Sequence, residues 1–287
     1  MTGYEALRQT AAWMDVSARG RIRATGEDRK RLLHAMTTNH VEQMQPGDTL
    51  YAFFLNAQGR ILADVWIYCA EDHLLLDVEP EQRRKVYEHL DRYIIADDVT
   101  LEDITDATAE VAVEGPKAGA APRFGAVLAA SLTGQPGFRM VVPAAEKDAV
   151  IAALREAGLA EATAEEARIV RIENGVPRYG EDITDSHLVH ETQQLHAVHF
   201  NKGCYLGQEI VERVRARGQV HRKLYALRIE AQMPPPPGEK VFSAGEEAGV
   251  ITSAVWSPAQ GCVRALAYLR KVDRLSVAGA PAQLVQH

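Results

Sequence analysis

Cysteine is scarce in this chain: Cys69, Cys204 and Cys262 are the three in 287 residues. Their odd number and wide spacing, with no C-x-x-C pair, argue against a disulfide framework and a cysteine-rich zinc site. A reducing compartment is the default for such usage. No apolar run approaches the ~18 residues that a spanning helix needs. The opening residues, MTGYEALRQT, have no basic stretch leading into an apolar one, so no secretory leader is expected. Together these point to a cytoplasmic protein with no membrane partner. Positive charge is in deficit, 32 Lys+Arg against 39 Asp+Glu, a net −7. That weakens the case for a nucleic-acid coat protein but leaves room for a local basic groove. The chain also lacks tandem repeats, a P-loop, a dinucleotide fingerprint and a nucleophile elbow.

What is present is an ordinary globular mixture, 46% hydrophobic and 25% charged. A single core stops growing at roughly 250–300 residues, so two or three packed units are expected. Ser17 to Ile22 reads as a strand, and GEDRKRLLHAMTT as a helix capped by Asp28, with Leu32, Leu33 and Met36 on one face. The β-rich runs Tyr51–Leu55 and Ile61–Tyr68 flank Asn56-Ala57-Gln58-Gly59, a hairpin signal. HLLLDV extends that sheet, EQRRKVYEHLDRYI is helical, and Glu110–Val113 is a strand stopped by Gly115-Pro116. Helices are expected around Ala118–Leu132 and Glu146–Ala157. The mixed rather than alternating order favours an α+β class. Pro234 to Pro237, followed by Gly238, cannot continue a ladder and reads as a connection at the start of a terminal module. The short runs KVF, AGVIT, CVRALAYL and AQLVQ then predict a small antiparallel β-barrel. The division expected is a body over 1–222, of two interleaved subdomains, and a barrel over 223–287.

Two stretches carry chemistry. RIENGVPRYGED places Glu173 beside a Gly/Pro turn with Tyr179 close behind. A carboxylate accepts two parallel hydrogen bonds from a planar N–H/NH2 fork, which an arginine or the amino-pyrimidinone edge of a pterin or guanine offers. NKGCYLGQEIVER sets Cys204 beside Lys202 and between Gly203 and Gly207, with a helix expected from Gln208. A cysteine near a helix amino terminus and a lysine can become a reactive thiolate; equally, it can be a small buried hydrophobe. His187, His190, His196 and His199 have spacings that could pair rings on a helix, but no third ligand at a familiar distance, and no metal is expected. Arg213, Arg215, Arg217, His221, Arg222 and Lys223 form a basic strip, either a solvated face or a counter-charge for a polyanion such as a glutamate tail, phosphate or RNA.

Lys202-Gly203-Cys204-Tyr205-Leu206-Gly207-Gln208-Glu209 resembles the K-G-C-[FY]-x-G-Q-E signature of YgfZ-type folate-binding proteins. RLLHAMTTN, LNAQGRILAD, VEGPKA, RIENGVPRYGEDI and AGVITSAVWSPAQGCVRALAYL resemble the wider group containing the glycine-cleavage T-protein, an aminomethyltransferase. The resemblance implies a folate-binding body with a carboxy-terminal barrel. It also implies tetrahydrofolate as cofactor, with Glu173 holding the pterin and Tyr179, Gly203, Gly207 and Gln208 shaping the site. T-proteins use an aspartate in an N-x-x-N-x-x-x-D segment for methylene transfer. An ungapped pairing with DVEPEQRR sets Arg84 in its place, and an arginine cannot accept a proton. With the Cys204 motif, this favours the YgfZ branch, which is implicated in maintaining or assembling iron–sulfur clusters in client enzymes, including one that thiomethylates tRNA. Cys204 and Lys202 are then the candidates for a thiol step. The alternative the resemblance leaves is one-carbon transfer to tetrahydrofolate.

Overall fold

Alternation decides the first lobe. From Ala63 to Cys69 the odd-numbered Ala63, Val65, Ile67 and Cys69 enter one apolar core, so the even-numbered Asp64 and Trp66 take the opposite face; Leu62, beside the irregular pairing of Leu55 with Ile61, packs on the first core instead. The computed structural model describes residues 1–218 and 220–285. Its first half runs α1 (Gly3–Gln9), β1 (Ala12–Asp15), β2 (Gly20–Thr25), α2 (Arg29–Met36), β3 (Thr49–Leu55), β4 (Ile61–Cys69), β5 (Leu74–Val78), α3 (Arg83–Asp91), β6 (Thr100–Asp103) and β7 (Thr108–Glu114). The middle adds β8 (Ala126–Leu128), β9 (Gly137–Pro143), α4 (Lys147–Glu156), β10 (Ala160–Glu161), α5 (Ala164–Glu173), α6 (Val189–Thr192) and α7 (Gln208–Arg217). Six strands close the chain: β11 (Lys223–Ile229), β12 (Lys240–Ser243), β13 (Glu246–Ser257), β14 (Cys262–Leu269), β15 (Leu275–Val277) and β16 (Ala280–Leu284).

The strands form two five-stranded sheets, ordered β3-β4-β5-β2-β6 and β10-β1-β7-β9-β8, and a closed barrel ordered β11-β14-β13-β12-β15-β16. This is the expected α+β class with a terminal antiparallel barrel. One face of the first sheet packs on α2 and α3 through Leu33, Met36, Val86 and Leu90. Fully burying such a side chain stabilises by about 1.5–3 kcal/mol. The other face meets the second sheet. Leu75, Trp66 and Tyr68 touch Leu128 and Val141 there, beside a buried charged layer in which Arg139 pairs with Asp77 and Glu110, and Arg19 with Asp77.

Local expectations fare unevenly. The hairpin forms, and Gly59 takes the positive φ of its turn. The strand expected from Ser17 is β2 and begins at Gly20, because Ser17 is folded into a turn by the Asp15 carboxylate. Asp28 precedes α2 but does not cap it with its side chain; the carboxylate accepts from Asp98 N at 2.9 Å instead. No helix spans Ala118–Leu132. A single 3-10 turn at Ala118–Ala120 gives way to β8, since Pro122 has no N–H to donate and Gly125 sits at φ 58° against the Val141 carbonyl. The proline run lies inside the barrel, between β11 and β12, rather than ahead of it. Gln286, the last residue of the expected run AQLVQ, lies outside the described residues.

Candidate functional site

Where the charged layer between the sheets runs out, a cavity of about 730 Å³ opens. Its walls come from the end of β1 and the turn after it, from Tyr51 of β3 and Asp64 and Trp66 of β4, from Glu79 after β5, from α5, and from the segments 176–181 and 194–196. Buried Glu114 on β7 shapes another side: it accepts from the backbone N–H groups of Leu132 (2.6 Å) and Thr133 (3.0 Å) and from the Ser131 hydroxyl (2.8 Å). This fixes the cavity-lining turn 131–133 without any regular element.

Four carboxylates line the cavity: Asp15, Asp64, Glu79 and Glu181. Three are paired with cations. Lys147 binds Asp15 at 2.8 Å, Arg178 binds Glu79 at 2.6 Å, and Arg168 and Arg171 both hold Glu181. Asp64 has no cation partner among the described residues. It is 8% exposed, it accepts from the Tyr51 hydroxyl at 2.7 Å, and its Oδ1 has no hydrogen-bond partner there. Burial, together with the neighbouring Glu79 charge, pushes its carboxyl up to about 6. Tyr51 is flanked by Trp66, ring centroids 5.0 Å apart, and stacks on His196 at 5.5 Å and 21°. An aromatic cluster beside an open acid suits a flat ligand with N–H donors.

None of the seven residues singled out from sequence lines this cavity. Glu173 is 3% exposed at the seam between α1, α5 and the barrel. Its oxygens accept from Tyr4 (2.7 Å), Arg8 (2.9 Å) and the Ser257 hydroxyl, so the fork expected to bind a pterin is already engaged by the protein. Tyr179 is buried under β4 and donates to the Leu62 carbonyl at 2.7 Å, while its neighbours Arg178, Gly180 and Glu181 do reach the cavity.

The other five stand together in the loop leading into α7. Lys202 turns inward rather than toward Cys204. Its three ammonium protons go to the carbonyls of His34, Thr37 (2.6 Å) and Asn39 (2.9 Å), closing the end of α2. Burial lowers its amine to about 7. Cys204 is exposed, whereas Cys69 and Cys262 are buried. Gly207 is at φ 84°, where a Cβ would lie 2.6 Å from the Asn56 carbonyl of the hairpin turn. A Cβ on Gly203 would meet only His34 Nε2, at 3.7 Å. Gln208 opens α7.

Arg84 is exposed on α3 and pairs with Glu88 at 2.6 Å, away from the cavity. The acids on the cavity wall are instead Asp15, Asp64, Glu79 and Glu181, none of which stands at the position that the pairing of motifs gave to the aspartate. The four histidines are dispersed: His187 stacks on Tyr268 and His196 on Tyr51. Among the described residues no group of three or more His, Cys, Asp or Glu is arranged to hold a metal. The basic strip is partly neutralised, Arg213 by Glu209, Arg215 by Glu212 and Arg222 by Glu191. No helix among the described residues is long and apolar enough to cross a membrane.

Comparison with known proteins bears on the whole chain. Residues 2–121 match the family described as GCVT N-terminal domain, and residues 222–284 the glycine cleavage T-protein C-terminal barrel domain. An aminomethyltransferase of Rubrobacter xylanophilus is 29% identical over 93% of this chain and 78% of its own length. One from a Nostoc species is 26% identical over 98% of this chain and 82% of its own. The crystal structure of glycine cleavage system aminomethyltransferase T from Bartonella henselae superposes with a TM-score of 0.88, covering 99% of this chain and 87% of that one. At 20% identity it is a likeness of fold. In order along the chain, then, it is similar to a GCVT N-terminal domain and to a glycine cleavage T-protein C-terminal barrel domain.

Proposed function

We propose that this protein binds tetrahydrofolate in the cavity between its two sheets. The observation that carries the reading is the cavity itself: about 730 Å³, within the ~300–1,000 Å³ range of small-ligand sites, with an aromatic cluster and an acid, Asp64, one of whose oxygens is buried with no hydrogen-bond partner among the described residues. The names of the relatives support a one-carbon or folate chemistry. When bound, the folate would supply a carrier amine for a one-carbon unit; the chain's part is to seat its flat ring and exclude water.

Beyond folate binding, the reading we favour is an accessory role toward iron–sulfur enzymes, among them tRNA-modifying ones. It rests on the resemblance of the Lys202–Glu209 loop and on the exposure of Cys204, which leaves that thiol reachable by a client protein. A second reading, aminomethyl transfer to tetrahydrofolate, is favoured by the acids Asp64 and Glu79 on the cavity wall, which can act as proton acceptors where Arg84 cannot. Calorimetric titration with tetrahydrofolate tests the shared part, and saturable binding is expected. An assay of methylene transfer from an aminomethyl-lipoyl donor separates the two readings. Turnover at ordinary enzymatic rates, roughly 1–10³ s⁻¹, that is lost in Asp64→Asn would make the second reading the right one.

A further inference from the structure

Arginine keeps its charge inside a protein and brings five N–H donors with it, so a buried guanidinium short of acceptors strongly destabilises a fold. Arg264 on β14 is such a group. Val263, Ala265 and Ala267 enter the barrel core, so alternation sends Arg264 to the outer wall with Leu266 and Tyr268. That is the wall on which α5 packs. Arg264 is 3% exposed. Its Nη1 donates to Gln260 Oε1 at 2.9 Å, whereas Nε and Nη2 are buried with no partner among the described residues. Those two nitrogens form one edge of the guanidinium, the fork that receives an oxyanion through two parallel hydrogen bonds.

The acids at this seam are engaged elsewhere. Glu173 accepts from Tyr4, Arg8 and Ser257, and Asp182 from Arg171 and Thr252. Burial, first, weakens the hold of Arg264 on its proton; Cys262 and Glu173 oppose this, and the Arg8 and Arg228 charges add to it. Arg228 stands directly across from Arg264 on β11. On β13, Val255 is the cross-strand neighbour of Arg264, and Ser253, on the same outward face, has a buried hydroxyl with no partner among the described residues. The fork is thus set among donors and cations. It lies one side chain below the surface, because Gln260 is exposed.

We propose that the Nε–Nη2 edge of Arg264 is a binding site for a small planar oxyanion of the carboxylate class, formate or acetate in size, held at the seam between barrel and body. The anion accepts both N–H groups and balances a cluster in which Glu173 faces the two guanidinium groups of Arg8 and Arg264. Its place between β14 and α5 makes the docking of the barrel depend on it. The residues of this site do not line the cavity between the sheets, so the proposal stands apart from the folate reading.

The experiment is urea unfolding of the full chain at neutral pH, with sodium formate replacing sodium chloride at constant ionic strength. The wild-type midpoint is expected to rise saturably with formate. At ten times the dissociation constant the folded-to-unfolded ratio should be about elevenfold that without formate. Arg264→Met should show no saturable rise. Arg264→Lys keeps the charge but lacks the fork, and should need at least about tenfold more formate for the same rise. No saturable rise in wild type overturns the proposal and leaves the fork to water or to a shifted Glu173. An equal rise in Arg264→Met overturns it by placing formate elsewhere, and an equal rise in Arg264→Lys overturns the fork. Should Arg264→Met fail to fold, wild type and Arg264→Lys carry the comparison.

Discussion

Two buried acids in this molecule each accept a hydrogen bond from a tyrosine hydroxyl at 2.7 Å, yet they do opposite work. Glu173, at the seam of body and barrel, has Tyr4, Arg8 and Ser257 on its oxygens. Asp64, at the cavity wall, has Tyr51 on one oxygen and no described donor on the other. Burial alone does not mark an acid as functional. The distinguishing property is whether the protein completes the acid's hydrogen bonds. A completed carboxylate ties segments together; an incomplete one is a standing cost to the fold, retained where a ligand removes it.

The largest effect that separates the two is expected at Glu173. Its partners come from α1 and from the end of β13, so the carboxylate joins the chain's first helix to the barrel. Glu173→Ala strands the Arg8 guanidinium and two hydroxyls, and should lower stability by about 2–4 kcal/mol, read as a fall in the urea midpoint. Tetrahydrofolate affinity of the protein that remains folded should be unchanged. A midpoint like that of wild type combined with a large loss of affinity would reverse the comparison and return the pterin to Glu173.

The smaller effect is at Asp64, and its sign is opposite. Burial, first, and the Glu79 charge raise its carboxyl to about 6, against an ordinary 3.8. The folded state therefore holds this proton more tightly than the unfolded chain, and ionising Asp64 costs stability. The cost is absent below about pH 4, grows as pH rises toward 6, and is fully present at pH 7. Asp64→Asn carries no charge at any pH. At pH 7 it should be more stable than wild type by about 1–3 kcal/mol, with the gap narrowing as the pH falls from 6 to 4. Thermal unfolding of both proteins across that range measures it. A gap that is flat with pH would show that Asp64 is not the titrating group. His34 and His187, held by burial down to about 4, give both proteins the opposite trend, losing stability as pH falls from about 6.5. The difference between the two proteins cancels that shared slope.

The same contrast explains what the sequence discloses. Elements with strong periodicity are readable: the hairpin, α3 with Val86 and Leu90, α4, and the barrel strands all form near their expected places. Ala118–Leu132 misleads because its alanines favour a helix, while Pro122 and the contact of Gly125 with β9 override them. Glu173 is visible as an acid, but its partners lie as many as 169 residues away, and no local pattern announces them. Asp64 leaves a fainter signal that is nevertheless present: a lone acid in ILADVWIY, in phase with Trp66 and Tyr68 rather than with the core-facing Val65. Read at a period of two, that phase marks a polar group on the non-helical face of the sheet. The glycines of the Lys202 loop divide likewise. Gly207 is enforced by the hairpin turn it abuts, and Gly203 is not.

The cysteines offer the finest test of completion against openness, because it can be read without altering the protein. Cys69 closes β4 inside the first core, and Cys262 opens β14 within the barrel; both are buried. Cys204 is exposed in the loop ahead of α7. A small alkylating agent should label Cys204 first and the other two only as fast as the fold opens. Mass spectrometry of peptides from a time course measures the order. Lys202 enters indirectly. Its amine is spent on the carbonyls at the end of α2, so Lys202→Met should loosen the loop and lower stability rather than simply withdraw a charge from the thiol. Labelling of Cys204 that slows in Lys202→Met with an unchanged unfolding midpoint would restore Lys202 as a partner of the thiol. Labelling that proceeds no faster at Cys204 than at Cys69 would remove the thiol from consideration and leave the loop with a packing role alone, its glycine at 207 locked against the hairpin and its lysine against α2.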